Sequence, residues 1–338
     1  MNVMITGGLG VIGSWVARQL LQEGHRPLLF DRYHDTSLVA DISSNIEICL
    51  GDIQDIAAIL RVLKKHRIQI IAHVAGLTGR SAQNDPHAGF SVNAVGTVNI
   101  LEAARIMDVE RVVFTSSRWA VSPVAGDHGY PAYKPVDETH HAYPASPTTV
   151  YAAAKVASEL MGNVYSEQYG LSFIALRFGQ IFTPGKISNP TLQAQMMENA
   201  MSGHPTVIPQ GGDEKDDMTY IKDVANAVVL SCFAKNVRHR LFHIGTGQGY
   251  THNDFSDSIR KLYPQAVIDI GPGLRQPPGT GFVMDISRAR LELGYEPRFG
   301  LDAAVKDYVQ VMKQFNYRPR SAPLQANSAQ EAIATQLA

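Results

Sequence analysis

In the stretch VYAAAKVASE, residues 150–159, Tyr151 and Lys155 stand four positions apart, a spacing that puts both side chains on one face of a helix. A phenol and an ammonium held this way can do proton chemistry. Tyrosine ordinarily titrates near about 10 and is a poor base at neutrality. A neighbouring positive charge favours its phenolate, which can then take a proton from a substrate hydroxyl. The competing reading is plain: the alanines at 152, 153, 154 and 157 are strong helix formers, and Tyr-x-x-x-Lys on such a helix can be mere decoration. The rest of the chain decides.

A second group of residues reads as a nucleotide site. Gly7, Gly10 and Gly13 are spaced by three in TGGLGVIGSWVARQLL, after a short apolar strand and at the start of an amphipathic stretch. Glycines there permit a tight turn and a close approach of backbone to a pyrophosphate, and the next helix offers its unpaired N–H groups to the anion. A triplet alone is weak evidence; the strand before it and the helix after it are what dinucleotide binding requires. The next strand ends in PLLFDR, placing Asp31 about 20 residues on, where a carboxylate can accept both adenosine ribose hydroxyls and repel a 2′-phosphate. NAD is therefore favoured over NADP. Arg32 pulls the other way, since it could hold that phosphate or stack on adenine, and Asp31 could simply end the strand. Asp52 and Ile53, in LGDIQD, would lie near the adenine, with capping of the following helix as the alternative for Asp52. In HVAGLTGRS, the small Ala75 and Gly76 would let backbone pass close to the cofactor.

These residues need a framework. Short apolar runs at 3–6, 27–30, 46–50, 70–75, 111–116 and 172–176 alternate with amphipathic stretches at about 11–22, 54–65, 86–107 and 148–169. That alternation predicts a parallel sheet with helices on both faces, its strands apolar throughout because both sides are buried. Past residue 180 prolines and glycines break the rhythm, apart from a helix over 220–234 and a strand over 240–245. The expected fold class is α/β, a Rossmann-type doubly wound parallel sheet over 1–180 to which 220–245 returns. A smaller, discontinuous C-terminal substrate lobe occupies 181–317, mainly 181–216 and 246–317, and a mobile tail is expected over 318–338.

Composition narrows the partners. Among 338 residues, 30 basic against 31 acidic residues leave a net charge of -1, with no global pull toward nucleic acid or an anionic membrane. The densest basic run, Lys64-Lys65-His66-Arg67, closes a helical stretch, where cations complement the helix dipole. Cys49 and Cys232, both in apolar settings where burial is expected, exclude a disulfide framework and fit a reducing compartment. Neither a membrane-spanning apolar run nor a leader resembling a signal peptide is evident, so a cytoplasmic protein is expected. The 12 histidines offer no H-x-x-x-H helix and no Cys/His cluster with metal-ligand geometry, so no metal is expected. His140 and His141 read as solvated or structural, and no G-x-S-x-G nucleophile elbow occurs.

Taken in order, TGGLGVIG, FDR, GDIQD, HVAGL, SVNAVGTVNILEAA, FTSS, YAAAK, LRFGQIFTPG, DDMTYIKDVANAV, FHIGTG and DISRARLELGYEP carry a resemblance. Over residues 1–315 the chain resembles the extended short-chain dehydrogenase/reductases of the NAD-dependent epimerase/dehydratase family. The resemblance implies an NAD-dependent oxidoreductase or epimerase of carbohydrate chemistry, with Tyr151 and Lys155 as catalytic pair and Ser117 as their hydroxyl partner. It implies that Lys155 also holds the nicotinamide ribose. To the cofactor residues already named it adds Val11, Ile12, Val74, Asn93, Ser116 and Phe178, and it places Thr78, Ser117, Arg118, Gln180 and Arg275 against the substrate. For Asn93, capping the next helical turn is a competing role. Asp137-Glu138 resembles a family loop that leads to the catalytic helix and shapes the site. The helices at 86–107 and 148–169 imply a homodimer with a four-helix interface.

Departures from the family pattern bear on the reaction. Arg118-Trp119 stands where family dehydratases usually carry Asp-Glu, which disfavours dehydration. Nucleotide-sugar members usually have Asn at the position of Gln180, and Arg-Asp-Phe, with arginine on the diphosphate, where this chain reads Asp216-Asp217-Met218. A negative charge thus replaces a phosphate anchor. Arg275 matches the family's second phosphate-binding arginine and could instead clamp a sugar-acid carboxylate. Around HVAGLTGRS the chain is similar to the family's UDP-hexose 4-epimerases, with Thr78 where they have lysine, so weaker cofactor retention is expected. Two enzymatic readings stay open. One is epimerisation of a sugar nucleotide or related sugar through a transient keto intermediate; the other is net dehydrogenation or reduction of a sugar, sugar acid or other secondary alcohol. A catalytically silent NAD-binding scaffold or sensor is the reading from another class, and the intact Ser117, Tyr151 and Lys155 set argues against it.

Overall fold

A computed structural model of the chain describes residues 1–140, 149–185 and 190–317. Seven parallel strands form its main sheet: β1 (Asn2–Thr6), β2 (Arg26–Asp31), β3 (Glu47–Leu50), β4 (Ile70–His73), β5 (Arg111–Ser117), β6 (Ser172–Phe178) and β7 (Leu241–Ile244). Across the sheet they run β7-β6-β5-β4-β1-β2-β3. Strand order reverses between β1 and β4, and open α/β sheets bind ligands outside the carboxyl ends at such a point. In β1, Val3 and Ile5 enter the core on one face and Met4 on the other, all fully buried. Burying each such side chain contributes about 1.5–3 kcal/mol, which is why the strands read as unbroken apolar runs.

Helices cover both faces. They are α1 (Val11–Gln22), α2 (Ile56–His66), α3 (Gly96–Ile106), α4 (Val150–Tyr169), α5 (Leu192–Ser202), α6 (Ile221–Phe233), α7 (His252–Leu262) and α8 (Leu301–Gln314). Val16 and Leu20 of α1 share one core with Val224 and Val228 of α6, whereas Ile59, Leu101 and Tyr165 carry α2, α3 and α4 into the other. The basic run closes α2 as expected, with Arg67 left-handed at φ 48°. Its start is a correction: the cap is Asp55, which accepts from the Ala58 N–H at 3.0 Å, while Asp52 accepts from the Gln54 N–H at 2.9 Å in a turn of its own. The helix expected over 86–107 is also interrupted. Pro86–Phe90 is a short α-helix and Ser91–Val95 a π-helical turn before α3 begins.

Helix α4 starts at Thr149, whose hydroxyl accepts from the Ala152 N–H at 3.1 Å, and stops at Gly170 with φ 70°. Along it, a Cβ on Gly162 would stand 2.1 Å from the Phe173 ring, so α4 lies against β6 at a separation only glycine permits. Arg111, at the start of β5, donates to the Ser231 carbonyl at 2.9 Å and the Ala234 carbonyl at 2.7 Å, fastening the end of α6.

After β6 the chain leaves the sheet, returns as α6 and β7, and leaves again. Between and after these segments, Gln180–Phe182 pairs with Met218–Tyr220, Thr206–Ile208 with Ile268–Ile270, and Lys215–Asp216 with Tyr250–Thr251. The tail expected over 318–338 and His141 lie outside the described residues. Among the described residues no helix is long and apolar enough to cross a membrane.

Candidate active site

Three consecutive residues at the end of β5 meet three residues along one face of α4. The Tyr151 phenol lies beside Ser117, whose hydroxyl oxygen accepts from the Trp119 N–H at 3.2 Å. Lys155 Nζ donates to the Thr115 carbonyl at 2.6 Å, and the Ser116 hydroxyl donates to Glu159. Positions 151, 155 and 159 are one helical turn apart, so one straight face serves all three contacts. Lys155 is buried, its Nζ 4.5 Å from the centre of the Phe114 ring and 5.4 Å from that of Tyr151. Burial pushes the Tyr151 phenol up to about 12, opposed by the Ser117 hydroxyl, and pushes Lys155 down to about 7, opposed by Glu159. A phenol lowered by Lys155 is therefore not a property of the chain by itself, because the ammonium spends a hydrogen bond on Thr115.

Behind this face lies a polar interior that the motifs did not disclose. Arg177 on β6 donates to Glu159 through Nε at 2.8 Å and Nη2 at 2.6 Å, a bidentate pair buried on both sides. Breaking a pair of this kind by removing one partner costs about 3–5 kcal/mol. The next strand sets His243 opposite Arg177, and burial holds that imidazole down at about 3. The His243 N–H donates to Glu138 at 2.8 Å, and Glu138 also lies 3.4 Å from Arg288. Asp137 accepts from the Thr139 N–H at 2.8 Å. The Asp137-Glu138 pair thus fastens its loop to the sheet. Glu159 did have a signal in the sequence: it continues the Tyr151 and Lys155 face by one more turn.

The β1–α1 turn has the shape a pyrophosphate needs. Gly7 has φ 66°, and a Cβ there would stand 2.9 Å from Ala75 backbone atoms; on Gly13 it would stand 2.3 Å from the Gly7 carbonyl oxygen. No side chain caps α1, so the N–H groups at Val11 and Ile12 face outward from an uncapped first turn. Asp31 accepts from the Leu9 N–H at 3.0 Å and the Tyr33 N–H at 3.3 Å, so its carboxylate is fixed beside the turn. The exposed Arg32 lies 3.5 Å from Asp52, and Ile53 is buried where a Cβ on Gly96 would touch it at 2.7 Å. On β4, His73 bridges the Thr6 and Thr97 hydroxyls at 2.7 and 3.0 Å, and Thr6 accepts from the N–H groups of Val74 and Ala75.

Of the two roles open for Asn93, helix capping is not the one its side chain takes. Its side chain accepts from the Leu77 N–H at 2.7 Å and donates to the Leu77 carbonyl at 2.8 Å, clamping the chain just past Gly76. The widened turn at Ser91–Val95 is what carries it there. Phe178, ending β6, is buried in the core.

Toward the lobe, the negative charge that stands in place of a phosphate anchor at Asp216 has a partner in the chain. Arg118, 4% exposed, is ion-paired with Asp216 and donates to the Thr280 carbonyl, and its guanidinium lies 4.6 Å from the centre of the Phe282 ring. Arg118 therefore ties the tip of β5 to the lobe. Asp217 accepts from the Thr246 N–H at 2.6 Å and the Gly247 N–H at 3.1 Å, and burial raises it to about 6. The half-buried Gln180 donates its N–H to the Asp217 carbonyl at 2.7 Å. Arg275 is exposed, its main-chain N–H on Glu214 at 3.0 Å, and Thr78 is exposed just before the short helix Gly79–Asn84.

One cluster was not legible in the sequence. Glu47 and Cys49 on β3 meet His66 at the end of α2, so Cys49 is half-buried beside two polar groups instead of in an apolar setting. His66 Nδ1 lies 3.1 Å from Glu47 and Nε2 lies 3.7 Å from Cys49 Sγ. Each imidazole nitrogen faces a different partner, which makes a hydrogen-bonded chain along the sheet edge.

The sequence profile of the NAD-dependent epimerase/dehydratase family matches residues 3–245. The chain is 29% identical over 329 residues to the UDP-glucose 4-epimerase of Mycolicibacterium smegmatis, spanning 93% of this chain and 99% of that one. Against the putative UDP-glucose 4-epimerase of Methanocaldococcus jannaschii, identity is 28% over 322 residues, again 93% and 99% of the two chains. Among solved structures, the Thermus thermophilus UDP-glucose 4-epimerase in complex with NAD superposes with a TM-score of 0.78 at 25% identity, covering 94% of this chain and 99% of that one.

Proposed function

The chain belongs to the NAD-dependent epimerase/dehydratase family, and from that premise we propose that it is a sugar-nucleotide epimerase working through transient oxidation of a substrate hydroxyl. The observation that carries the reading is the placement of Tyr151 beside Ser117 at the end of β5, with the Lys155 Nζ one turn behind it, 5.4 Å from the Tyr151 ring centre. Held along the glycine turn formed by Gly7, Gly10 and Gly13, NAD would supply reversible hydride acceptance from the sugar carbon. Tyr151, as phenolate, takes the hydroxyl proton, and Ser117 donates a hydrogen bond to the oxygen as it becomes a carbonyl. Positive charge on Lys155 and on the oxidised nicotinamide ring favours the phenolate against the burial that raises it. Tyr151 would then return the proton to the carbonyl oxygen once the keto sugar has presented its opposite face, which completes the inversion. Asp31, beside the glycine turn, supports NAD over NADP through the adenosine ribose.

The relatives' names make UDP-glucose and UDP-galactose the first pair to test. Purified protein given UDP-galactose is expected to form UDP-glucose, followed by chromatography, with no NADH accumulating. Stoichiometric NADH from added NAD without any isomer would instead make the protein a dehydrogenase. That second reading is supported by Asp216, an acid ion-paired with Arg118 at the position where nucleotide-sugar members commonly carry a diphosphate arginine.

On this reading, residues 1–180 with 220–245 form the cofactor unit and 181–317 the substrate lobe. A homodimer is supported by apolar side chains left exposed along the 86–106 stretch and α4, among them Phe90, Val95, Ile106, Leu160 and Tyr169. Light scattering is expected to give twice the chain mass, and Leu160→Glu, at a position 60% exposed, to give the monomer. The free thiols Cys49 and Cys232 support a reducing, cytoplasmic setting.

A further inference from the structure

The face of α4 that carries Tyr151 and Lys155 ends one turn later at Glu159, to which the proton chemistry above gives no task. Glu159 is buried, and so are its partners Ser116 and Arg177. A carboxylate kept in the interior together with an arginine is weak evidence of stability, because well-packed apolar residues of the same volume often hold a fold equally well. Its position gives another reason. Ser116, which donates to Glu159, sits between Thr115, whose carbonyl holds Lys155, and Ser117, whose hydroxyl meets Tyr151. Whatever holds Ser116 also holds its two neighbours against α4.

We propose that Glu159, gripped by Arg177, is a positioning residue that registers the end of β5 against α4 and keeps the Lys155 ammonium charged. The proposal rests on the assignment of Tyr151 and Lys155 given above. Lys155 is faced by Tyr151 and Glu159 from its own helix, by His73 from β4, by the Phe114 ring and the Thr115 carbonyl from β5, and by Arg177 of β6 beyond Glu159. His73 is neutral, since burial lowers it to about 3. Of these groups Glu159 brings the carboxylate, held by the Arg177 guanidinium. The sign follows: removing a negative charge beside an ammonium makes its proton easier to lose, so the Lys155 midpoint falls further below the ordinary lysine range. Burial has already brought it down to about 7, opposed by Glu159.

The test uses the full chain with NAD, labelled with 13C-lysine, and follows the Lys155 resonance against pH, identified by its loss in Lys155→Met. Glu159→Gln is expected to move the Lys155 midpoint down by about one pH unit or more. The alkaline limb of kcat with UDP-galactose should move with it while KM stays near its original value, and Glu159→Asp should restore both. Because Glu159→Gln strands Arg177, the double variant Glu159→Gln/Arg177→Met is measured beside it, with the same direction of change expected. A folded variant whose Lys155 midpoint stays in place overturns the proposal. The resonance needs no sugar, so it answers even where UDP-galactose is not turned over, which separates failure of this role from failure of the functional reading.

Discussion

Tyr151→Phe is expected to lower kcat roughly a hundred- to ten-thousand-fold, the range for removing a positioned acid–base group, with KM changed little. Phenylalanine keeps the ring against α4 and Lys155, so the fold and the glycine turn are untouched. What disappears is the hydroxyl that meets Ser117 and exchanges the substrate proton. Titration of NAD into the variant, read by quenching of protein fluorescence, should show near-normal binding. Full activity in this variant would remove Tyr151 from the mechanism, whatever the substrate proves to be.

Gly13→Ala is expected to weaken NAD binding by at least about 100-fold, equivalent to roughly 2.7 kcal/mol. The added methyl would stand 2.3 Å from the Gly7 carbonyl oxygen and 2.7 Å from the Gly8 Cα, both backbone atoms with no flexible end to yield. The turn must open, and forced overpacking of this kind costs about 1–3 kcal/mol in the fold as well. Gly10→Ala is the milder comparison within the same turn, because its methyl would meet the same oxygen at 3.2 Å. Calorimetry on both variants decides the matter. Wild-type affinity in Gly13→Ala would show that the cofactor does not use this turn.

Much of this architecture could be read from local pattern. All seven strands of the sheet were visible as short apolar runs, and in the inner strands burial on both faces leaves no polar alternation. Tyr151 and Lys155 were visible because helical spacing is a short-range property. What escaped depends on partners distant in sequence. Arg118 and Asp216 are 98 positions apart, and neither strand nor helix periodicity says that two charges will meet across that distance. The π-helical turn escaped for a different reason: one inserted residue barely disturbs an amphipathic pattern, yet it re-aims Asn93 from a cap to a clamp on Leu77. Between Asp52 and Asp55 the choice of helix cap was set by the backbone turn between them, which composition does not report.

The placement of β7 bears on how such a chain can diversify. Its pairing with β6 is made only after the chain has passed through α5 and α6, and α6 packs on α1 in the same core. Until then β6 offers a bare apolar edge, the kind of edge that invites pairing with another molecule. A foreign lobe spliced in after Phe178 would have to deliver its own version of both matches before the nascent chain found a partner elsewhere. New preferences in such a protein are therefore easier to acquire by exchanging single side chains in the loops around Arg118, Asp216 and Arg275 than by trading the lobe as a cassette.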